Sequence, residues 1–331
     1  MPSGFSGASV FRCKTNRDQH DIALKCWPEG TTSSRIAEVH RVQKLVADNG
    51  CVYVPKLLRL STQRSTQRST QRSTQSTQST QQTWFTNRNR IWDACTWLPG
   101  EPLSFDADAD SILKGARAIA NFHRFSSVAG TSLSTEVPAI NNRLRRAKEL
   151  NTILPQVFSA SVSAGSPLIR KSVNQAIDLL RLHWASASAQ IIRSMKRHAG
   201  IPLPIQYVLR DVHREHILFH DNEPAGLIDF DALRVDTLAT DYVRWVGSFA
   251  LGKGRTEIWR QIASDFFSDS PFRNSGDDAH FLLLDLHYGT TWISIGNWAV
   301  WLALERRNFS LGDEIIAARI DRLCQTAVAS L

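Results

Sequence analysis

Two carboxylates and their neighbours, between Arg210 and Asp231, form the part of this chain best suited to chemistry. Tyr207-Val208-Leu209-Arg210-Asp211-Val212-His213-Arg214-Glu215-His216-Ile217-Leu218-Phe219 is followed by Gly226-Leu227-Ile228-Asp229-Phe230-Asp231. Asp211 follows an apolar strand and stands at a loop, and Asp229 ends another strand eighteen residues later. A turn at Asp221-Asn222-Glu223-Pro224 would fold this stretch back and bring both loop ends to one place. Phosphoryl transfer needs such a pair. One carboxylate orients and deprotonates an acceptor hydroxyl, and the other holds magnesium on the phosphates.

The stretch resembles the catalytic loop and metal-binding segment of the aminoglycoside phosphotransferase and choline kinase family, which is related in fold to the protein kinases. The family pattern is roughly His-Gly-Asp-x-x-x-x-Asn, then a hydrophobic strand, then Ile-Asp-Phe. The resemblance puts Asp211 on the catalytic Asp, Asp229 on the metal-binding Asp and Asp231 on a frequent second acidic position. Three departures stand out. Leu209-Arg210 replaces His-Gly, so Arg210 approaches the catalytic position as in protein kinases; Arg214 takes the place of a Pro; and His216 replaces the metal-binding Asn. Magnesium prefers oxygen ligands, whereas imidazole suits softer metals, so manganese becomes an alternative to magnesium here.

The same resemblance extends toward the N-terminus. Ser3-Gly4-Phe5-Ser6-Gly7-Ala8-Ser9-Val10 is similar to the glycine-containing loop over the nucleotide phosphates, with the backbone of Gly4 and Gly7 free to approach them. Lys25, in Ile22-Ala23-Leu24-Lys25-Cys26, would contact the α and β phosphates, and Glu38 on the helix that follows would pair with it. Trp97-Leu98-Pro99-Gly100 matches the hinge, where the backbone of Trp97 and Leu98 would meet the adenine of ATP or GTP. With only three residues before Gly4, the strand that leads into the phosphate loop is expected to be missing.

The elements that must position these residues can be read around them. Val10 to Lys14 and Asp21 to Trp27 have strand character, and so do Cys51 to Leu60. Trp84-Phe85-Thr86 and Ile91 to Trp97 form a hairpin around Asn87-Arg88-Asn89-Arg90. Between them Ile36, Val39, Val42, Leu45 and Val46 recur at helical spacing from Ser33 to Asp48, with Ser33 or Ser34 as cap and Asn49-Gly50 as stop. After Leu98-Pro99-Gly100-Glu101-Pro102 the pattern turns helical. Helices are expected over 111–125, 141–150, 169–198, 241–251, 255–267 and 281–305, broken by short strands at 206–209, 217–220 and 225–230. His123 reads as a packing residue on an apolar helix, and Trp292, Trp298 and Trp301 as core. The expected fold is α+β and two-lobed, protein-kinase-like: a small β-rich nucleotide lobe over residues 1–100 and a mainly helical lobe over 101–331 holding the catalytic loop and acceptor site.

One segment stands outside this plan. Residues 61–83 read STQR three times, then STQ three times, then Gln82-Thr83. Three arginines are its only charges and it has no apolar residue to bury, so the sequence predicts a disordered insertion between neighbouring strands.

Size and composition set the remaining limits. The 331 residues suffice for two lobes around a cleft. The five cysteines, at 13, 26, 51, 95 and 324, are scattered and lack a CxxC pair, which argues for a reducing compartment and against zinc or disulfides. No basic-then-apolar leader opens the chain, and the apolar stretch 281–304 contains Asp285, His287 and Asn297, so a cytoplasmic protein without membrane contact is expected. The net charge of +8 is uneven: residues 241–331 carry nine Lys or Arg against eleven Asp or Glu, giving −2 there and +10 elsewhere. That balance suits an anionic ligand such as a nucleotide. The function expected is ATP-dependent phosphorylation of a small-molecule hydroxyl. The rivals are a pseudokinase that binds nucleotide or metabolite without turnover, and a basic nucleic-acid binder, which the absence of any recognition motif disfavours.

Overall fold

A short strand carrying Lys25 lies at the centre of the N-terminal architecture. The computed structural model describes residues 7–14, 21–59, 82–162, 165–250, 255–267, 276–309 and 311–331. Within them β1 (Ser9–Cys13), β2 (Ile22–Cys26), β3 (Trp84–Asn87) and β4 (Arg90–Thr96) form an antiparallel sheet in the order β1-β2-β4-β3. Arg88 and Asn89, both in the left-handed region, make the tight β3–β4 turn, as hairpin twist requires. The repeat expected to be disordered lies, apart from Gln82 and Thr83, in residues 60–81 and so outside the described residues.

Helix α1 (Ser33–Asp48) buries Ile36, Val39, Val42 and Val46 completely and packs on the helix over residues 109–126. Its cap is Thr32 rather than Ser33 or Ser34. Thr32 has extended backbone and accepts from Arg35 N, whereas the two serines are already helical. His40 ties the helix to the sheet, reaching Asp93 with Nε2 at 2.8 Å and Thr83 Oγ1 with Nδ1 at 2.7 Å. The strand expected over 51–60 does not form among the described residues. Residues 56–58 meet only the last residues of β4, where β3 has ended: Leu58 N donates to Ala94 O and Thr96 N to Lys56 O, around one Leu57–Cys95 bridge.

The second lobe is mainly helical: α2 (Ala109–Ser126), α3 (Pro138–Ser159), α4 (Pro167–His198), α5 (Ala239–Gly247), α6 (Arg255–Phe267), α7 (Gly276–Ala303) and α8 (Asp313–Val328). Helix α7 is its axis. Leu282, Leu283, Leu286, Trp292 and Ile295 are completely buried, and the helix packs on α3, α4, α5, α6 and α8, which covers a helix apolar on most sides. No helix among the described residues is long and apolar enough to cross a membrane. Helix α3 continues through Pro155, beyond the expected stop at Leu150.

Two small sheets pack on α2 and α3. β10 (Arg234–Thr237), β7 (Leu203–Val208) and β6 (Ser132–Ser134) form one, in the order β10-β7-β6. β5 (Glu101–Pro102), β8 (Ile217–His220) and β9 (Glu223–Leu227) form the other, in the order β5-β8-β9. The β8–β9 turn is the two residues Asp221 and Asn222, both left-handed, so the pairing resumes at His220 and Glu223.

Candidate active site

Both carboxylates singled out by the sequence lie at sharp backbone reversals. Arg210, just before Asp211, has φ +66°, and Asp229 itself has φ +63°. The left-handed conformation costs an Arg about 1–2 kcal/mol and must be held by its surroundings. Asp241 on α5 does this. Completely buried, it accepts Leu209 N at 2.8 Å and Arg210 N at 2.6 Å, and His123 Nε2–H on α2 donates to it at 2.8 Å. Ser248 Oγ accepts Arg214 N at 2.9 Å further along the same loop. The reversal at Asp229 ends the strand at Leu227 instead of the expected Phe230 and turns the carboxylate back toward the first lobe.

There it meets Lys25. The ammonium lies 3.3 Å from Asp229 Oδ1 and forms a close ion pair with Asp231 Oδ1. Burial alone would lower the Lys25 pKa, but Asp229 and Asp231 outweigh it and hold the group firmly protonated. For Asp229, burial is outweighed by Lys25 and then His216, and the carboxyl stays below its usual range. Asp231 moves the other way, raised by burial and by the charge of Asp229.

Asp211 stands at the mouth of the site. His213 Nε2–H donates to its Oδ1 at 3.0 Å and Arg244 approaches the same oxygen at 3.6 Å. These cations and donors overcome the effect of burial and keep Asp211 ionised far below the ordinary carboxylate range. Burial pushes His213 down and favours the neutral ring, which still donates its one N–H to Asp211. His216 lies between the Asp211 backbone and the Asp229 carboxylate. Its Nδ1 lies 2.6 Å from Asp211 O and must donate there, because a carbonyl only accepts. The other ring nitrogen, Nε2, lies 3.8 Å from Asp229 Oδ2.

His216 Nε2 and Asp229 Oδ2 are the atoms here that could hold a divalent metal. Asp231 Oδ2, buried without a hydrogen-bond partner, adds a third donor. Lys25 holds the other oxygens of Asp229 and Asp231, and among the described residues no three His, Cys, Asp or Glu side chains form a ready-made metal cluster. A metal bound there would meet carboxylate oxygens and an imidazole nitrogen, a mixed set that suits manganese as well as magnesium.

The other expected residues fall as follows. Gly4 lies outside the described residues; Gly7, with φ +76°, accepts from Arg90 through its carbonyl. Glu38 does not pair with Lys25. It accepts from Arg35 at 2.6 Å, Arg234 at 2.9 Å and the Tyr207 hydroxyl at 3.3 Å, because these donors face α1 while the two aspartates hold Lys25. Trp97 N donates to Asp21 O, and its ring carries the Arg12 guanidinium 4.9 Å from the centroid. Gly100, at φ +104°, lies so close to Phe219 that a Cβ would stand 2.4 Å from its carbonyl oxygen, and Leu98 covers Gly226 in the same way. Arg210 points away from the carboxylate it precedes, its Nε 3.6 Å from Asp236. Sequence reasoning missed Asp241, His123, Arg35, Arg234 and Arg244. The one available signal was the acidic Asp241 inside an apolar helix start.

The fold and site define a phosphotransferase, and the chain belongs to the phosphotransferase enzyme family, whose model matches residues 1–269. It has the two-lobed kinase-like fold of small-molecule kinases. Among solved structures, spectinomycin phosphotransferase in complex with ADP and spectinomycin aligns at TM-score 0.54 and 12% identity, over 97% of this chain and 92% of that one. Amicoumacin kinase, solved with AMP-PNP and Ca2+, aligns at TM-score 0.51 and 10% identity, over 98% and 86%. An aminoglycoside phosphotransferase from Alicyclobacillus acidocaldarius aligns at TM-score 0.50 and 13% identity, over 100% and 90%. Among curated proteins no relative matches this sequence.

Proposed function

We propose that the chain transfers the γ-phosphoryl group of ATP or GTP to a hydroxyl of a small molecule, between a nucleotide lobe ending near residue 100 and a helical acceptor lobe. The observation that carries this reading is the convergence of Lys25, Asp229 and Asp231, joined through His216 to Asp211. Asp211, held ionised, would orient the acceptor hydroxyl and take its proton. Lys25 would exchange its two carboxylates for nucleotide phosphate oxygens, and the backbone of Trp97 and Leu98 would border the base. The glycine loop at Gly4 and Gly7 would cover the phosphates, and Arg210, by holding its strained turn, would aim Asp211. Asp229, Asp231 and His216 would hold a magnesium or manganese ion, which when bound neutralises phosphate charge. The acceptor and the nucleotide are the partners, and neither a membrane nor nucleic acid enters this reading.

The second reading is a nucleotide binder without turnover. It is favoured by the engagement of Lys25 with both metal-side carboxylates and by the separation of Lys25 from Glu38. Acceptor-dependent ADP release, measured over a panel of alcohols, sugars and hydroxy acids, separates the two. Transfer to any acceptor supports the kinase; nucleotide binding with no transfer across the panel supports the binder.

A further inference from the structure

The space in front of Asp211 is lined with more positive charge than the site itself consumes. A cavity of about 310 Å³ opens there, bordered by Arg35, Arg210, Arg234 and Arg244 together with Asp211 and Asp231. Both aspartates already have partners, Asp231 in Lys25 and Asp211 in His213 and Arg244. Arg35 is also engaged, bonding Glu38 and the carbonyls of Asp231 and Leu233. The other three are less well matched. Arg234 is 43% exposed and shares Glu38 with Arg35. Arg244 is 35% exposed and reaches Asp211 at only 3.6 Å. Arg210 Nε is buried without a hydrogen bond, 3.6 Å from Asp236, whose Oδ2 also lacks one.

The layer behind the cavity points the same way. Arg143 on α3 is lowered to about 10, first by burial and then by the charges of Arg244 and Arg210, with Asp236 opposing. Arg319 on α8 is lowered too, chiefly by burial, although Glu215 and Asp211 oppose the shift. Arg143 thus lies near enough to Arg244 and Arg210 to feel their charges, and the cavity those two help to line has more guanidinium than carboxylate groups. A carboxylate or phosphate entering it would find planar donors suited to bidentate contact. An ammonium group would meet four guanidinium groups against two carboxylates that already have partners.

We infer that the acceptor is an anionic alcohol, a small hydroxylated molecule whose carboxylate or phosphate is held by Arg210, Arg234 and Arg244 while its hydroxyl faces Asp211. This rests on the phosphotransferase reading and names the substrate class of that site. In the reaction the acceptor oxygen forms a bond to the γ-phosphorus as the bond to the β,γ-bridging oxygen breaks. ADP leaves with that oxygen, and the hydroxyl proton passes to Asp211. The anionic group takes no part in the bond changes.

Calorimetric titration of the full chain loaded with AMP-PNP tests this, using inorganic phosphate and three probes that share a ring and differ in charge: D-glucuronate, D-glucose and D-glucosamine. Phosphate or glucuronate is expected to bind the loaded protein, with any anionic sugar at least tenfold tighter than its neutral and amino counterparts. The double variant Arg234→Gln/Arg244→Gln is expected to weaken anion binding tenfold or more, and Arg234→Gln alone to act in the same direction. Arg145→Gln, at a side chain 71% exposed on α3, should change nothing. Failure of both anions to bind, preference for glucosamine, or unchanged binding in the double variant overturns the inference. Anion binding that disappears once AMP-PNP is present also overturns it, because the arginines then serve the nucleotide. If AMP-PNP itself does not bind, the phosphotransferase reading falls, and titration of the nucleotide-free chain with the same probes still decides whether the pocket selects anions.

Discussion

His123 and Asp241 meet at 2.8 Å beneath the catalytic loop, on helices α2 and α5, and neither side chain is more than 5% exposed. The contact leaves Asp241 accepting three N–H groups at once, two of them from the backbone that leads into Asp211. A positive φ at Arg210 persists because of it.

Asp241→Asn replaces one accepting oxygen by an amide that faces a backbone N–H. A buried donor is then left unpaired, at a cost of about 3 kcal/mol. Melting temperature should drop by roughly 5 °C and transfer should fall, while His123→Phe, which keeps the ring volume, should lose less. Equal stability of Asp241→Asn and the parent in thermal denaturation would remove Asp241 from this role.

Asp211→Asn should leave the melting temperature and the nucleotide Kd nearly unchanged and reduce kcat by about 10²–10⁴. Its ionisation is held far below the ordinary carboxylate range, so the parent should show no acid limb from this group between about pH 5 and 8. A clean Asn variant with parental kcat would exclude Asp211 as the base.

Lys25→Met strands two nearby carboxylates with no cation between them. Their folded-state pKa values would then rise above the unfolded value of about 3.9, so stability is retained below that pH and lost as pH climbs through the raised values. The fall in melting temperature relative to the parent should be roughly 5 °C at pH 7 and much smaller at pH 4.5. A deficit of the same size at both pH values would show that the lysine does not neutralise the pair.

His216→Asn exchanges the imidazole nitrogen 3.8 Å from Asp229 for an amide oxygen. Activity of the parent should be higher with manganese than with magnesium, and the variant should shift that ratio toward magnesium by roughly tenfold. Manganese binding followed by electron paramagnetic resonance should weaken in parallel. Unchanged manganese affinity in the variant would place His216 outside the metal site.

Kanamycin-like polyamines should not be saturable acceptors at micromolar concentration. Residues 241–331 carry a net charge of only −2 in a chain of +8, and the cavity at Asp211 is lined by four arginines against two aspartates. Efficient phosphorylation of such a compound, followed by ADP release, would refute this.

The carboxylate pair was legible in the sequence because each member ends an apolar run, and chain order alone brings the two loop ends together. The class of fold was legible for a related reason, since helical spacing from Ile36 to Val46 and the hairpin around Arg88-Asn89 are local signals. The partner of Glu38 was not. Rotation of α1 about its axis decides whether Glu38 faces Lys25 or the arginines, and periodicity gives the buried side of a helix without giving its neighbours. Asp241 was missed because it acts on a backbone turn 31 residues away, through hydrogen bonds that leave no trace in residue type at Leu209 and Arg210. The strand over 51–60 was misread because its apolar run pairs only where β3 has left the edge of β4 free.

Asp211 and Asp229 are anchored by different elements. Asp211 hangs from α2 and α5 through His123 and Asp241. Asp229 follows the β8–β9 hairpin, which is bonded to β5 and, through Leu227 N, to Tyr53 O, and which packs so tightly on Gly100 and Leu98 that the hinge and hairpin must move as one piece. The His216 ring reaches both, with Nδ1 at the Asp211 carbonyl and Nε2 toward Asp229. Both anchors belong to the second lobe and touch each other, since α2 packs on β9 and Trp245 of α5 stacks on Phe219 of β8. A change in the angle between the lobes would therefore leave the Asp211–Asp229 spacing alone and move Lys25 against Asp229 and Asp231.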